Sequence, residues 1–160
     1  MTASAPSRTT RFWDLSIEGD QTSAKTTQAK SLKRDVVEVS KLSEAAWIQD
    51  VRSARDRRER TLGLFREFTA NVTRWYVLRI FETEAQWEYE LLEIPVWMFD
   101  AAVQRLKVED FDSDGPRIAV KDSRGKDLYT LALDRSDAKI TIKHMPKSNC
   151  VVHGTWLLDK

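Results

Sequence analysis

The segment Arg11-Phe12-Trp13-Asp14-Leu15-Ser16-Ile17-Glu18 alternates apolar and polar side chains and runs directly into Gly19-Asp20. Such alternation turns one set of side chains to a core and the other to solvent, the pattern of a half-buried strand. A two-residue loop beginning with glycine, followed by the threonine-rich run Gln21 to Thr27, predicts a tight β-hairpin. With Gly19 and Asp20 as the loop, Glu18 falls opposite Gln21, Ser16 opposite Ser23, and Asp14 opposite Lys25. Opposite residues project from the same face. The pattern therefore predicts Asp14, Ser16, Ser23 and Lys25 as neighbours, with Trp13, Leu15 and Ile17 on the core side.

Downstream, Asp35 to Ser40 is rich in β-branched residues and predicts a further strand. Ser43 reads as a helix N-cap, with Glu44 in the first turn and Leu42 and Trp47 at the positions of a hydrophobic staple. The helix is expected to continue through Ile48, Val51, Ala54, Leu62, Phe65 and Phe68 to Asn71, with Gly63 as the place for a break, and most of its arginines must be exposed. Trp75 to Phe81 has the aromatic and branched character of a central strand, and Trp87 to Ile94 that of its antiparallel partner. Pro95 ends that partner because it lacks the amide a ladder needs. A helix over Val96 to Leu106, an acidic turn from Asp110 to Pro116, and three strands at Arg117 to Val120, Leu128 to Leu133 and Lys139 to Lys143 complete the pattern, with Val151 to Leu158 as a last strand. The fold class is α+β: a mixed, largely antiparallel sheet with one long helix and a C-terminal β-meander.

At 160 residues and 18.5 kDa the chain suits one core, so residues 1–10 are expected as a polar tail and residues 11–160 as a single domain. Hydrophobic residues at 41% against 32% charged exclude a disordered chain. Cys150 is alone and cannot close an internal disulfide, and no apolar run approaches the roughly 20 residues that span a bilayer. Met1 to Thr10 has no apolar core of the kind a secretory signal carries, so the expected location is the cytoplasm, with no membrane partner. The net charge of +1 hides an uneven distribution. Between Lys25 and Lys41 stand five basic residues and two acids, whereas between Glu82 and Asp114 ten acids face Arg105 and Lys107. A polyanion is attracted to the first segment and repelled by the second.

A carboxylate and an ammonium held together on rigid strands can bind a divalent metal and stabilise charge developing on a phosphate. The same two residues can equally form a cross-strand ion pair worth less than about 1 kcal/mol. His144, Cys150 and His153 lack the spacing and the fourth ligand of a structural zinc site. Ser23-Ala24-Lys25 echoes a serine-lysine nucleophile but has no glycine-rich oxyanion loop beside it.

The run Trp13-Asp14-Leu15-Ser16-Ile17-Glu18-Gly19-Asp20-Gln21-Thr22-Ser23-Ala24-Lys25-Thr26-Thr27 resembles the active-site hairpin of the PD-(D/E)XK nucleases, type II restriction endonucleases in particular. In that family an aspartate on one strand is followed on the next by acid-x-lysine, often with threonine after the lysine. Asp14 matches the aspartate and Lys25 the lysine, while Ser23 replaces the second acid and Trp13 the usual proline. Val39 to Asp50 and Leu92 to Pro95 also resemble restriction-enzyme sequences. The resemblance implies a restriction-endonuclease-like core that hydrolyses phosphodiester bonds of double-stranded DNA with Mg²⁺, using Asp14, Ser23 and Lys25. Mg²⁺ prefers carboxylate oxygens to a neutral hydroxyl. Beside Asp14, the Ala24 carbonyl, Glu18 or Glu38 must then supply what Ser23 does not. Relatives carry a helix before the aspartate, whereas thirteen residues precede Asp14, so a homodimer partner or a missing segment is expected to complete the site.

Lys30, Lys33, Arg34 and Lys41 are the expected phosphate contacts around this hairpin, and Arg52, Arg55 and Arg58, spaced by three, would extend them along the helix. Two other readings stay open on the residues alone: a catalytically inactive nuclease-like DNA-binding module, and a protein-interaction domain using the acidic segment or the meander.

Overall fold

The computed structural model describes residues 3–4, 12, 14–28 and 31–160. In chain order the elements are β1 (Ala3–Ser4), β2 (Leu15–Ile17), β3 (Asp20–Gln28), β4 (Val36–Glu44), α1 (Trp47–Asp50), α2 (Ala54–Asn71), β5 (Arg74–Glu82), β6 (Gln86–Ile94), α3 (Met98–Arg105), β7 (Arg117–Lys121), β8 (Asp127–Asp134), β9 (Lys139–Pro146) and β10 (Val151–Asp159). Single 3-10 turns lie at Glu109–Phe111 and Lys147–Asn149. One sheet has the order β1-β2-β3-β5-β6-β10 and the other β4-β9-β8-β7. Strands β3 and β5 pair in parallel; the other described pairings are antiparallel. The class is α+β with mixed, largely antiparallel sheets and a C-terminal meander, as the pattern predicts, but the strands divide between two sheets. Of the first ten residues, Ala3 and Ser4 are described and pair with Ile17 and Ser16. No helix among the described residues is long and apolar enough to cross a membrane.

The chain folds as two compact units. The first comprises Met1–Asp35, Ala70–Val96 and Lys147–Lys160, and it contains the six-stranded sheet. Its central strand, β5, buries every second side chain, Trp75, Val77, Arg79 and Phe81. Trp75 lies opposite Ile94 and Val77 opposite Leu92, both of them buried on β6. Each such apolar side chain removed from water contributes about 1.5–3 kcal/mol. Arg74 at the start of β5 ties the strands on either side, its Nε donating to Asp20 on β3 at 3.0 Å and its Nη1 lying 3.7 Å from Glu93 on β6.

The second unit comprises Val36–Thr69 and Trp97–Pro146. Its meander turns Ile118, Val120, Leu131, Leu133, Ile140 and Ile142 inward. Leu62, Phe65 and Phe68 face the core from α2 at a spacing of three. Phe99 of α3 joins these elements, its ring centroid 4.8 Å from Phe65, 5.0 Å from Phe68 and 6.1 Å from Tyr129 of β8. Tilted and edge-on ring pairs of this kind add about 0.5–1.5 kcal/mol to burial.

Three local expectations are corrected. Ser43 is not a helix cap: β4 continues through Glu44, with Ser43 opposite Ile140 and Glu44 opposite Lys139 of β9, so strand pairing overrides the local signal. The long helix starts ten residues later, where Ser53 Oγ accepts the Asp56 amide at 3.0 Å. Gly63 does not break it; the interruption falls at residues 51–53, between α1 and α2.

Arg57 is the buried exception among the arginines of α2. Its guanidinium donates to the carbonyls of Phe111 at 2.8 Å, Arg52 at 2.8 Å and Asp112 at 3.0 Å, fixing the segment before β7. Arg57→Met keeps an apolar stem but strips those carbonyls of their donors. The expected cost is about 3 kcal/mol, a fall in Tm of roughly 6–12 °C by calorimetry. An unchanged Tm contradicts this role.

Candidate active site

The β2–β3 hairpin forms, with a different turn from the one expected. Glu18 and Gly19 are the loop, both left-handed at φ 53° and 95°, the combination a type I′ turn requires. Leu15 pairs with Thr22, Ser16 with Gln21 and Ile17 with Asp20. Asp20 thereby enters β3, where its carboxylate meets Arg74. Relative to the expected register the strands slide by two residues. An even slide leaves every side chain on its own face, but it moves Asp14 from opposite Lys25 toward Ser23.

Asp14 N–H donates to Thr22 O at 2.8 Å, out of step with the ladder. The carboxylate then continues the pairing that the short β2 strand abandons. Asp14 Oδ2 accepts the Ala24 amide at 2.8 Å and faces the Ser23 hydroxyl at 3.4 Å. Ser23 is fully buried while Asp14 is exposed, so the carboxylate stands at the boundary between sheet and water. Lys25 is half-buried two residues beyond Ser23 and on its side of β3. No described residue forms an ion pair or hydrogen bond with the Lys25 ammonium. Parallel pairing with β5 sets Ser23 beside Trp75, Ala24 beside Tyr76 and Lys25 beside Val77.

Glu18 does not join this group. Glu18 is in the turn, four residues or about 13 Å of extended chain from Asp14. Glu38 is on β4, in the other sheet and the other unit, 4.0 Å from His144 Nε2. No three His, Cys, Asp or Glu side chains among the described residues form a ready-made cage. Asp14 nonetheless suits Mg²⁺: its Oδ2 is oriented by the Ala24 amide, Oδ1 takes no hydrogen bond from a described residue, and this ion is commonly held by one or two carboxylates with water and substrate phosphate.

The SmaI family of type II site-specific deoxyribonucleases matches residues 2–158. The chain belongs to that family. It is 29% identical over 161 residues to the type II restriction enzyme SmaI of Serratia marcescens, an alignment covering 95% of this chain and 62% of the relative. The chain thus spans less than two thirds of that relative's length. No solved structure matches it significantly.

Within this SmaI-family chain the basic residues divide by their partners. Arg34 is committed to Glu88 through two hydrogen bonds of 2.7 and 2.8 Å and stacks over Phe81 at 4.7 Å. Lys41 pairs with Glu44. Lys33, Arg52 and Arg55 are exposed, without an ion pair to a described residue. Arg52 precedes α2 rather than extending its face, and Arg58 donates to Leu106 O at 2.8 Å. Lys30 and Trp13 lie outside the described residues.

Sequence reasoning missed the charged cluster of β5 and β6. Arg79 Nε lies 3.0 Å from Glu90 Oε2, both residues buried, and Lys147 also pairs with Glu90. Arg79 donates to the Arg34 carbonyl at 3.0 Å and, like Arg34, sits 4.7 Å over Phe81. The hydrogen bond from Arg34 holds the Glu88 carboxyl below its ordinary range, and burial lowers Arg79 and pushes Cys150 up to about 11. The signal was the lone Arg79 in an apolar run and the alternate Glu88 and Glu90 in the next strand, but the turn read from the sequence puts Arg79 opposite Tyr89; the turn in the structure is tighter, with Glu82 opposite Trp87, and only that register sets Arg79 opposite Glu90.

Asp14→Ala removes the acceptor of the Ala24 amide, together with the longer contact of the buried Ser23 hydroxyl. Exchange of that amide, followed by NMR, is expected to accelerate about tenfold, with global stability changed by less than about 1.5 kcal/mol. Unchanged protection at Ala24 contradicts the contact.

Proposed function

We propose that this chain is a Mg²⁺-dependent endonuclease of double-stranded DNA, of the PD-(D/E)XK type with serine at the position of the second acid. The observation that carries the reading is the Asp14 carboxylate seated on Ser23 and Ala24, with Lys25 next on the same side of β3, in a chain of a deoxyribonuclease family. Asp14 and the Ala24 carbonyl are the donors assigned to Mg²⁺, which when bound lowers the pKa of water and neutralises phosphate charge. Ser23 orients the Asp14 carboxylate from its buried position. Lys25, with no competing carboxylate among the described residues, meets the negative charge that builds on the phosphate as water adds and the P–O bond breaks. Lys33, Arg52 and Arg55 are the phosphate contacts left available by their surroundings, in a protein acting in the cytoplasm.

The assembly that suits this reading is a homodimer. β10 is the outer strand of its sheet and exposes Trp156, Leu157 and Leu158 to more than half of their full extent or nearly so, at 50%, 64% and 56%. An open edge with apolar side chains and no lysine inside it is poorly protected against pairing with a second chain.

With duplex DNA and Mg²⁺, Asp14→Ala is expected to lower the cleavage rate by about 10³-fold or more and Lys25→Ala by about 10²–10³-fold, while both still bind DNA in EDTA. Cutting by Asp14→Ala at the wild-type rate contradicts the assignment. Wild-type protein that binds DNA but never cuts it with Mg²⁺ favours the inactive DNA-binding module instead. Light scattering tests the assembly: the wild type is expected at twice the chain mass and Trp156→Glu/Leu158→Glu at one chain mass. A wild-type monomer rules the dimer out.

A further inference from the structure

The outward face of the four-stranded sheet is chemically unlike its core face. Arg117 of β7, Ala132 of β8 and Thr141 of β9 form one cross-strand row, and Ala119, Thr130 and Lys143 the next. Small side chains therefore occupy the middle of the face and long cations its two sides. Ala132 and Thr141, which point away from the apolar core, are nonetheless buried and line a cavity of about 410 Å³. Arg117, Asp134, Arg135 and Lys143 also line it. Four ionisable side chains around one cavity do not suit an apolar ligand.

The charges there do not cancel. Arg135 is neutralised by Asp114 at 2.8 Å and also donates to the Gln49 carbonyl at 3.2 Å. Asp134 is held by the Ser136 hydroxyl at 2.7 Å and the Asp137 amide at 3.3 Å, with Lys139 4.0 Å away. Arg117 and Lys143 have no ion pair with any described residue. They flank β8 from opposite sides, two strand spacings and one row apart, so their Cα atoms are about 12 Å from each other. Side chains of that length, rooted at that separation, can converge on one phosphate or take two successive ones.

We propose that the cavity between Arg117 and Lys143 is a binding site for the phosphodiester backbone of DNA, separate from the Asp14 hairpin. The inference rests on the DNA-cleaving reading given above. Its chemistry is positioning, because phosphate contacts fix the protein on the duplex without reading bases. Sequence inspection passed over both residues because each stands singly in a strand, outside the basic stretch from Lys25 to Lys41.

The test is the salt dependence of binding to a labelled DNA duplex in EDTA, where no cleavage occurs. Each phosphate contact contributes about 0.9 to the slope of log K against log salt. Arg117→Ala/Lys143→Ala is expected to flatten the slope by about 1.8, so that raising salt from 50 to 200 mM costs it about 12-fold less affinity than it costs the wild type. Arg117→Lys/Lys143→Arg should keep the wild-type slope, and Arg105→Ala/Lys107→Ala, which removes the same charge elsewhere, should leave it unchanged. With Mg²⁺ the alanine variant should raise KM and leave kcat alone. Wild-type binding with an unaltered slope in the alanine variant, or equal flattening in the Arg105/Lys107 control, overturns this site and leaves the nuclease reading standing. A wild type that binds no duplex at any salt overturns both.

Discussion

The parallel pairing of β3 with β5 is the constraint on which the candidate site depends. A two-stranded hairpin is at best marginally stable in water, and β2 contributes only Leu15–Ile17. What holds Ser23, Ala24 and Lys25 in place is the row of partners Trp75, Tyr76 and Val77, on a strand whose alternate side chains are buried. Parallel strands cannot be joined by a tight turn and require a long crossover. Here the crossover carries β4, α1 and α2, so the chain builds the start of its second unit before returning to extend the sheet beside the hairpin. Asp14 depends on the same support, since its carboxylate bonds to β3 beyond the last regular pair with β2.

Much of the fold was legible because it is written in alternation. The meander strands follow from that pattern. Trp75 to Phe81 and its partner Trp87 to Ile94 were legible instead from the aromatic and branched character of a central strand, and Pro95 closes the pair at the residue where its missing amide first matters. Features that need two distant segments were not legible. Ser43 satisfies the local rule for a helix cap and still lies in a strand, because β9 offers backbone pairing that outweighs the cap. The hairpin turn was read as Gly19-Asp20, and the actual choice of Glu18-Gly19 becomes evident only with Arg74 as the partner of Asp20, 54 residues away from it. The family of the chain could be suspected from Asp14, Ser23 and Lys25. Their mutual positions depend on that turn and could not be deduced from spacing alone.

Buried charge is the second theme. Arg79 with Glu90 in the first unit and Arg57 in the second are removed from water at a cost that an apolar pair would not incur. Each is supplied with fixed partners, and each ties together segments far apart in the chain: Arg79 reaches the Arg34 carbonyl, and Arg57 the carbonyls ahead of β7. The uncommitted charges, Lys25, Arg117 and Lys143, are by contrast on strands with no carboxylate assigned to them among the described residues. In a chain of a deoxyribonuclease family, cations held on rigid strands and left without internal partners are suited to phosphate.

The central claim is that Asp14, on its seat against Ser23 and Ala24, gathers a divalent ion. Mn²⁺ titrated into the full chain in place of Mg²⁺ reads this directly, since its unpaired electrons broaden the NMR signals of nearby nuclei. The account predicts that the amides of Asp14, Ser23 and Ala24 fade first in the wild type and persist in Asp14→Asn. Broadening centred on the acidic segment from Asp110 to Asp114, with the hairpin amides untouched, would contradict it.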